Sequence, residues 1–222
     1  MDLPKQPLPM TKYKAIIFDF DGVILESMNI KTEAFRVLFQ DYPDHVDAIV
    51  DYHIENGGIS RFVKFEYIYR EMLNLPFDDA KSKELGEEFS RIVLEAVLKC
   101  PFVEGAHEFL QKYSSEIPFF VASGTPHEEL KLIVEERGLA PYFKGVYGTP
   151  ALKPEIIHKI LDEEGFAKEE VAYVGDAFSD YGDAQKAEVP FIGRTIPGEP
   201  NPFQGLNVPL IKDLNDLEKI LS

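Results

Sequence analysis

Five short apolar runs predict buried strands of a parallel sheet, because a strand covered on both faces is continuously apolar instead of alternating. The runs are AIIF (15–18), PFFVAS (118–123), KGVYG (144–148), VAYVGD (171–176) and PFIGR (190–194). Apolar residues recur at helical spacing between the later runs and after the last one, over 128–137, 154–163, 179–186 and 213–221. Strands that alternate with single helices indicate an α/β fold with helices on both faces of the sheet.

The stretch between the first and second runs, residues 19–117, is far longer than one crossover helix requires. It carries helical spacing over 29–40, 61–73 and 81–99. We therefore predict an inserted helical domain over residues 28–100, with 1–27 and 101–222 forming the α/β core. The insertion follows the first strand directly, so it should lie over the carboxyl ends of the strands, where open parallel sheets bind ligands.

The composition limits which classes of binding partner we expect. The formal net charge of -16 makes nucleic acid and anionic membranes poor partners. The single cysteine, Cys100, excludes an intrachain disulfide, and we interpret it as a structural thiol. The Pro-rich residues 1–10 lack an apolar signal core, and no window approaches 18 uninterrupted apolar residues. We expect a cytoplasmic protein without a membrane span, and the sequence leaves its oligomeric state open, as monomer or dimer.

Two aspartates, Asp19 and Asp21, stand just beyond the first strand. In an extended chain, residues two apart project from the same face, so both carboxylates should point into one small volume. A solvated strand end would explain them without any function. Asp176 at the end of the fourth run would face them if the two strands are neighbours. Three carboxylates in one pocket favour a hard divalent cation, and phosphate chemistry points to Mg²⁺.

Two other strand ends carry groups suited to an anion. Ser123-Gly124 offers a hydroxyl and a backbone N–H before a helix that we predict to start with Thr125 as N-cap and Pro126 at its first position. Lys153 stands at the start of the next helix, where the helix dipole disfavours a cation unless an anion shares the position. A solvated surface lysine is the alternative. Asp180 at a helix N-terminus is favourable even without a function.

Together and in this order, these pieces resemble the four motifs of the haloacid dehalogenase superfamily of hydrolases. They are Asp19-Phe20-Asp21-Gly22-Val23, the Ser123-Gly124 strand end, Lys153-Pro154 and Gly175-Asp176 with Asp180. The resemblance spans residues 14–194 and implies a Rossmann-like parallel-sheet core with an inserted helical cap of the first type. Phosphoglycolate-phosphatase-like members and β-phosphoglucomutase share that cap.

The resemblance also implies a role for each motif residue. Asp19 would be the nucleophile that forms an aspartyl-phosphate, and Asp21 would be the general acid and then the general base. Mg²⁺ would be held by Asp19, the backbone carbonyl of Asp21 and Asp176, with Asp180 in support. Ser123 and the Gly124 amide would grip phosphate oxygens, and Lys153 would neutralise their charge. A crowded carboxylate site favours a raised pKa for one member, as the acid step requires.

The cap should select the substrate, which we expect to be a small phosphorylated metabolite such as a sugar phosphate or a phosphoglycolate-like acid. Gly58, Arg61 and Lys64 could present a helix start and two cations to an anionic substrate, although a glycine hinge with two solvated basic residues is equally compatible. A phosphomutase shares the core motifs and stays an alternative. A Schiff-base phosphonate hydrolase, with Lys31 or Lys64 as its lysine, and a non-catalytic binding protein of the same fold are more remote alternatives.

Overall fold

The computed structural model describes residues 13–221. Six parallel strands form one sheet in the order β3-β2-β1-β4-β5-β6. Their bounds are β1 Ala15–Phe18, β2 Phe119–Pro126, β3 Gly145–Thr149, β4 Val171–Gly175, β5 Phe191–Arg194 and β6 Leu210–Ile211. The five apolar runs thus correspond to β1–β5, which confirms the predicted α/β fold.

The helices fall into two groups along the chain. Those between β1 and β2 are α1 Met28–Leu38, α2 Val46–Glu55, α3 Arg61–Tyr67, α4 Asp79–Lys99 and α5 Ala106–Tyr113. Those after β2 are α6 His127–Glu136, α7 Lys153–Glu164, α8 Phe178–Ala187 and α9 Leu214–Leu221. A π-helical turn, Ile68–Met72, continues α3. The predicted helix over 61–73 is therefore present, but its second half is π-helical instead of α-helical.

Helical layers cover both faces of the sheet. Ile16 and Phe18 of β1 pack in one cluster with residues of α5, α6 and α9. Ala15 and Ile17 alternate to the other face, where they pack with residues of α7 and α8. Because both faces are covered, β1 is buried at all four positions, which is why its sequence is continuously apolar.

The cap consists of helices α1 to α4, and α1 packs against both α2 and α4. Its centre is an aromatic cluster in which Phe35 contacts Phe39, Phe65 and Phe89, at ring-centroid distances of 6.2, 5.8 and 5.0 Å. These side chains belong to the same apolar cluster as one face of the sheet. A helical cap on the core is thereby confirmed, while the boundaries 28–100 stay a prediction.

Two α-helices and one strand of the described chain were absent from the sequence predictions. They are α2, α5 and β6. Residues 195–212 contain β6, which pairs with β5 through Gly193↔Leu210 and Arg194↔Ile211. Phe203 from the same segment is buried. The segment therefore closes the edge of the sheet.

Cys100 is a buried free thiol, as predicted. In the range that the structure covers, no helix combines the length and apolar character needed to cross a bilayer. The prediction that residues 1–10 lack a signal core lies outside the described residues.

The order of the strands determines where a site can form. The chain runs from β1 outward to β3 on one side of the sheet and then from β4 to β6 on the other. The direction reverses between β1 and β4, and a crevice opens at such a point beyond the carboxyl ends of the strands. Asp19 and Asp176 stand at the carboxyl ends of these two neighbouring strands.

Candidate active site

Asp19 follows β1 and is buried. The backbone N–H of Phe20 donates to its Oδ1 at 2.8 Å, and Lys153 Nζ lies 3.1 Å from its Oδ2. The hydrogen bond and the ion pair fix the carboxylate at the mouth of the crevice. Lys153 is the first residue of α7, and it is buried there instead of reaching into solvent.

Asp180 holds Lys153 in place. Its Oδ1 accepts from Lys153 Nζ at 2.6 Å and from the hydroxyl of Tyr173 at 2.9 Å, while its Oδ2 accepts the backbone N–H of Ala177 at 3.0 Å. Burial disfavours the charged form of Lys153, but attraction to Asp180 and Asp19 outweighs this, so the pKa of Lys153 lies above its ordinary value. The lysine is therefore a fixed positive charge beside Asp19.

Asp19, Asp176 and Asp180 form a carboxylate cluster in which one oxygen from each lies within 4.8 Å of the others. Burial, opposed by Lys153 but reinforced by Asp180 and Asp21, raises the pKa of Asp19 to about 7. Burial together with repulsion from Asp180 and Asp19 raises the pKa of Asp176 well above its ordinary value. The cluster thus holds more negative charge than Lys153 balances, and its hard oxygen donors fit Mg²⁺.

Gly22 makes room for this cluster. Its φ of +71° lies in the left-handed region, and a Cβ at this position would stand 2.1 Å from Asp176 Oδ2. Any side chain here would push Asp176 away from Asp19. Its carbonyl also accepts from Arg194 Nη1 at 2.8 Å, and Arg194 pairs with Glu26, so β5 braces the turn after β1.

Asp21 lines the same cavity as Asp19 but has different partners. Ser27 Oγ donates to its Oδ1, and Lys31 Nζ and Thr125 Oγ1 both contact its Oδ2, the latter at 2.9 Å. Both residues thus line one cavity, as expected, although each carboxylate has its own partners.

Burial raises the pKa of Asp21, but attraction to Lys31 and the hydrogen bonds from Lys31, Ser27 and Thr125 outweigh it, so this pKa is lowered overall. The raised values belong to Asp19 and Asp176. The crowding argument thus predicted a raised pKa in this group of carboxylates, but it does not apply to Asp21.

Ser123 and Gly124 belong to β2 instead of a separate turn. The buried Ser123 hydroxyl accepts the backbone N–H of Thr125 at 3.1 Å, an arrangement in which its own O–H can donate to a ligand. The predicted N-cap was wrong. Helix α6 starts at His127 after Pro126, and Thr125 is still in the strand, where its side chain contacts Asp21 instead of capping the helix.

The cap residues predicted to bind substrate lie next to core residues. Gly58, with a φ of +78°, approaches so closely that a Cβ on Gly124 would stand 2.9 Å from its carbonyl oxygen. Gly58, Arg61 and Lys64 line one cavity of about 50 Å³ together with Asp19 and Gly124.

Arg61 and Lys64 are both buried, so neither is the solvated residue of the alternative interpretation. The Arg61 guanidinium pairs with Glu129 of α6 at 2.7 Å and also donates to Ser90 at 3.0 Å. Lys64 Nζ contacts His53. The sequence predictions had put both cations at the substrate, and the structure places one of them in a link between cap and core.

Lys31, Ser27 and Thr125 were missed as partners of Asp21. Lys31 lies one turn into α1 and had been considered only as a Schiff-base candidate, and a lysine at that position has no local pattern that reports its contact with Asp21. Ser27 precedes α1 directly, and its polar side chain is fully buried. A serine before a helix predicts a cap, and here it has no side-chain capping bond, so its function could not be inferred from position.

The fold and this site together define a class of protein, the Rossmann-like α/β proteins that carry aspartates at the end of the first strand beneath a helical cap. The chain belongs to the haloacid dehalogenase-like hydrolase family, whose model matches residues 16–194.

Two proteins with similar sequences have names that are consistent with this family. YfnB of Bacillus subtilis, which carries a HAD-hydrolase name, is 26% identical over 186 residues, covering 77% of this chain and 78% of the relative. A protein of Thermotoga maritima named phosphorylated carbohydrates phosphatase is 25% identical over 185 residues, covering 79% of this chain and 82% of the relative.

Solved structures share the fold. A predicted phosphoglycolate phosphatase from Haemophilus somnus superposes with a TM-score of 0.76 at 17% identity, over 96% of this chain and 100% of that one. A magnesium-bound crystal form of Bacillus subtilis YfnB, described as revealing interdomain movement, gives a TM-score of 0.70 at 19% identity over 95% of this chain and 99% of that one.

Proposed function

We propose that this protein is a Mg²⁺-dependent phosphatase that hydrolyses a small phosphorylated metabolite, a sugar phosphate or a phosphoglycolate-like acid, through an aspartyl-phosphate intermediate. The observation that carries the proposal is the position of Asp19, 3.1 Å from Lys153 and within a cluster of three carboxylates at the carboxyl edge of the sheet. The names of the Thermotoga maritima and Haemophilus somnus proteins support phosphate esters as the substrate class.

Asp19, Asp176, Asp180 and the backbone carbonyl of Asp21 would hold the Mg²⁺ ion. When bound, the ion would supply positive charge to the phosphate oxygens and would offset the repulsion among the buried carboxylates.

In the first step, the Asp19 carboxylate attacks phosphorus, and the bond from phosphorus to the ester oxygen breaks. Lys153, Ser123 and the Gly124 amide bind the phosphate oxygens and offset the repulsion between two anions. Splitting the hydrolysis at a covalent intermediate replaces one difficult step with two easier ones.

Asp21 handles the protons of both steps. It gives a proton to the departing alkoxide and then takes one from the water that attacks the phosphorus of the phosphoaspartate. That attack breaks the bond from phosphorus to the Asp19 oxygen and releases inorganic phosphate. The contacts with Lys31, Ser27 and Thr125 stabilise its ionised form, which is the form that the second step needs. For the first step we infer that Lys31 turns from Asp21 toward the bound phosphate dianion, which leaves Asp21 able to carry the proton.

The test is phosphate release from a chromogenic aryl phosphate by the purified protein, with Mg²⁺ and with EDTA. We expect activity with Mg²⁺, its loss in EDTA and its return when Mg²⁺ is restored. Asp19→Asn should abolish phosphate release because an amide is not a nucleophile, and Asp21→Asn should lower kcat by about 10²–10⁴-fold because proton transfer is lost.

Asp183→Asn is the matched control, because Asp183 lies on α8 but outside the carboxylate cluster and pairs with Lys186 at 3.0 Å. It should keep full activity. Full activity of the wild-type protein in EDTA would contradict the proposal. The same assay, run with sugar phosphates and a bisphosphate activator, distinguishes the phosphomutase alternative, because a mutase forms an isomer instead of free phosphate. The cytoplasmic location stays a prediction.

A further inference from the structure

Lys64 differs from the other cations around the site in lacking a negatively charged partner. Lys153 pairs with Asp19 and Asp180, Lys31 pairs with Asp21, and Arg61 pairs with Glu129. Within residues 13–221, Lys64 forms no ion pair, although it is only 2% exposed and lines the cavity that contains Asp19. A buried ammonium without a counter-charge is unfavourable, so such a group is retained where a ligand supplies the charge.

The contacts of Lys64 leave one of its donors unused. Its Nζ lies 3.1 Å from His53 Nδ1 and 3.1 Å from the His53 carbonyl oxygen. An ammonium has three N–H donors, and these two contacts use two of them. The third is available to an acceptor in the cavity.

His53 offers a second unused donor. When Lys64 is charged, its ammonium can only donate to Nδ1, so in that state the neutral imidazole carries its proton on Nε2. Burial, together with repulsion from Lys64 and Lys31, lowers the pKa of His53 to about 2, which keeps the ring neutral. His53 Nε2 is buried without a hydrogen-bond partner in the described chain, and His53 lines the same cavity. The pair formed by Lys64 and His53 thus has two buried N–H groups and no acceptor for them.

We propose that Lys64 and His53 bind a second anionic group of the substrate, a carboxylate, at the cap end of the cavity, so that the preferred substrate is a short phosphate monoester of a hydroxy acid. This inference rests on the proposed function, which puts the phosphate against Asp19. The cavity of about 50 Å³ favours a carboxylate over a second phosphate, because the latter is bulkier.

Two further features agree with a short, charged ligand. Phe35 and Phe89 also line the cavity, and the Phe35 ring stacks on His53 at 4.2 Å, so apolar surface borders the space between the two charged ends. Burial and repulsion from Lys31 and Lys153 lower the pKa of Lys64 to about 7, and a bound carboxylate would restore its charged form.

The experiment compares two substrates of equal length. Phosphoglycolate ends in a carboxylate, and 2-hydroxyethyl phosphate ends in a neutral hydroxyl group. The full-length wild-type protein with Mg²⁺ should prefer the acid by at least about 30-fold in kcat/KM, because a site built for a polar group discriminates strongly against its absence. Lys64→Met should reduce that ratio at least about tenfold, whatever it does to the two rates separately. His53→Leu should lower the ratio in the same direction.

Lys83→Met is the matched control, because this lysine of α4 has a side chain 78% exposed and should leave the ratio and both rates unchanged. A wild-type ratio near one, with both esters hydrolysed, would overturn this inference and leave the phosphatase proposal intact. An unchanged ratio in folded Lys64→Met would also overturn it. If Lys64→Met does not fold, the wild-type ratio and His53→Leu decide. Absence of phosphate release from both esters and from the aryl phosphate would remove the proposed function itself.

Discussion

Individual buried charges determine the electrostatics of this site. Lys153 is stabilised by two carboxylates, and its position at the start of α7 is unfavourable without them. Asp19 and Asp176 have raised pKa values because burial disfavours their charged forms and Asp180 repels both. Lys64 has a lowered pKa because burial disfavours its charged form and Lys31 and Lys153 repel it. The site is thus electrostatically unfavourable in the absence of an ion and a ligand, which is the usual relation between function and stability.

The lowered pKa of Lys64 predicts a pH dependence of stability. Between about pH 7 and pH 10.5, Lys64 is protonated in the unfolded chain but largely neutral in the folded protein. The unfolded state then binds more protons, so stability rises with pH by at most about 1.4 kcal/mol per pH unit. Lys64→Met lacks this dependence. The stability of the wild type relative to Lys64→Met should therefore increase by about 2 kcal/mol between pH 7.5 and 9.5.

Urea unfolding of the two proteins at both pH values, without substrate, measures this difference. Lys83→Met serves as control, and its curve should parallel the wild type. Parallel curves for Lys64→Met and the wild type would show that Lys64 is charged when the protein is folded.

Among the elements, β6 is very short, yet the segment that contains it contributes to the core. It is only two residues long, yet the segment around it brings Phe203 against Phe191 at a ring-centroid distance of 5.3 Å. A Cβ on Gly193 of β5 would lie 2.6 Å from the Phe203 ring, so glycine is needed for this packing. Residues 195–212 therefore complete the apolar cluster on the face of the sheet that α7 and α8 cover, next to β5, which supplies Arg194.

Phe203→Ala should destabilise the protein by about 3–5 kcal/mol, because it removes a fully buried ring and leaves a cavity. Phe178→Ala is the matched control, since that ring is 59% exposed and its loss should cost less than about 1 kcal/mol. Urea unfolding monitored by circular dichroism gives both values. Equal losses in the two variants would mean that residues 195–212 are not part of the core.

Over the whole molecule, polar contacts join the cap to the core around the cavity. Arg61 of α3 pairs with Glu129 of α6, and Ser179 at the start of α8 donates its hydroxyl to the carbonyl of Gly57. The Arg61 and Glu129 side chains are 5% and 10% exposed, so their ion pair is screened little by solvent. These contacts hold the described cap against the core, and we expect a ligand to enter the cavity only when they open.

Glu129→Gln should favour the open cap, because it leaves the buried Arg61 without its counter-charge. Backbone amides in 57–64 should exchange hydrogen at least about tenfold faster, while amides of β4 keep their rates. Hydrogen exchange followed by mass spectrometry measures both regions. Glu128→Gln, at the exposed neighbouring position, is the control. Unchanged exchange in 57–64 would show that this ion pair does not hold the cap closed.

The sequence alone determined the sheet and the chemical inventory of the site. Burial on both faces forces β1–β5 to be continuously apolar, and this pattern is local, so it could be found without the structure. Parallel strands bring their carboxyl ends to one edge, and this rule was enough to group Asp19, Ser123, Lys153 and Asp176. The short strand β6 lacked such a pattern, because an edge strand of two residues is only half covered.

Only the tertiary structure decided which charge pairs with which. Asp19 and Asp21 share a strand end but differ in pKa direction. Burial raises the pKa of both, but Lys31 of the cap outweighs it at Asp21, whereas Asp180 reinforces it at Asp19. Arg61 and Lys64 are one turn apart, yet Glu129 neutralises the first, while the second contacts His53 instead of a carboxylate. Electrostatic energy depends on distances of a few ångströms between groups that are remote in the chain, and no local pattern encodes those distances.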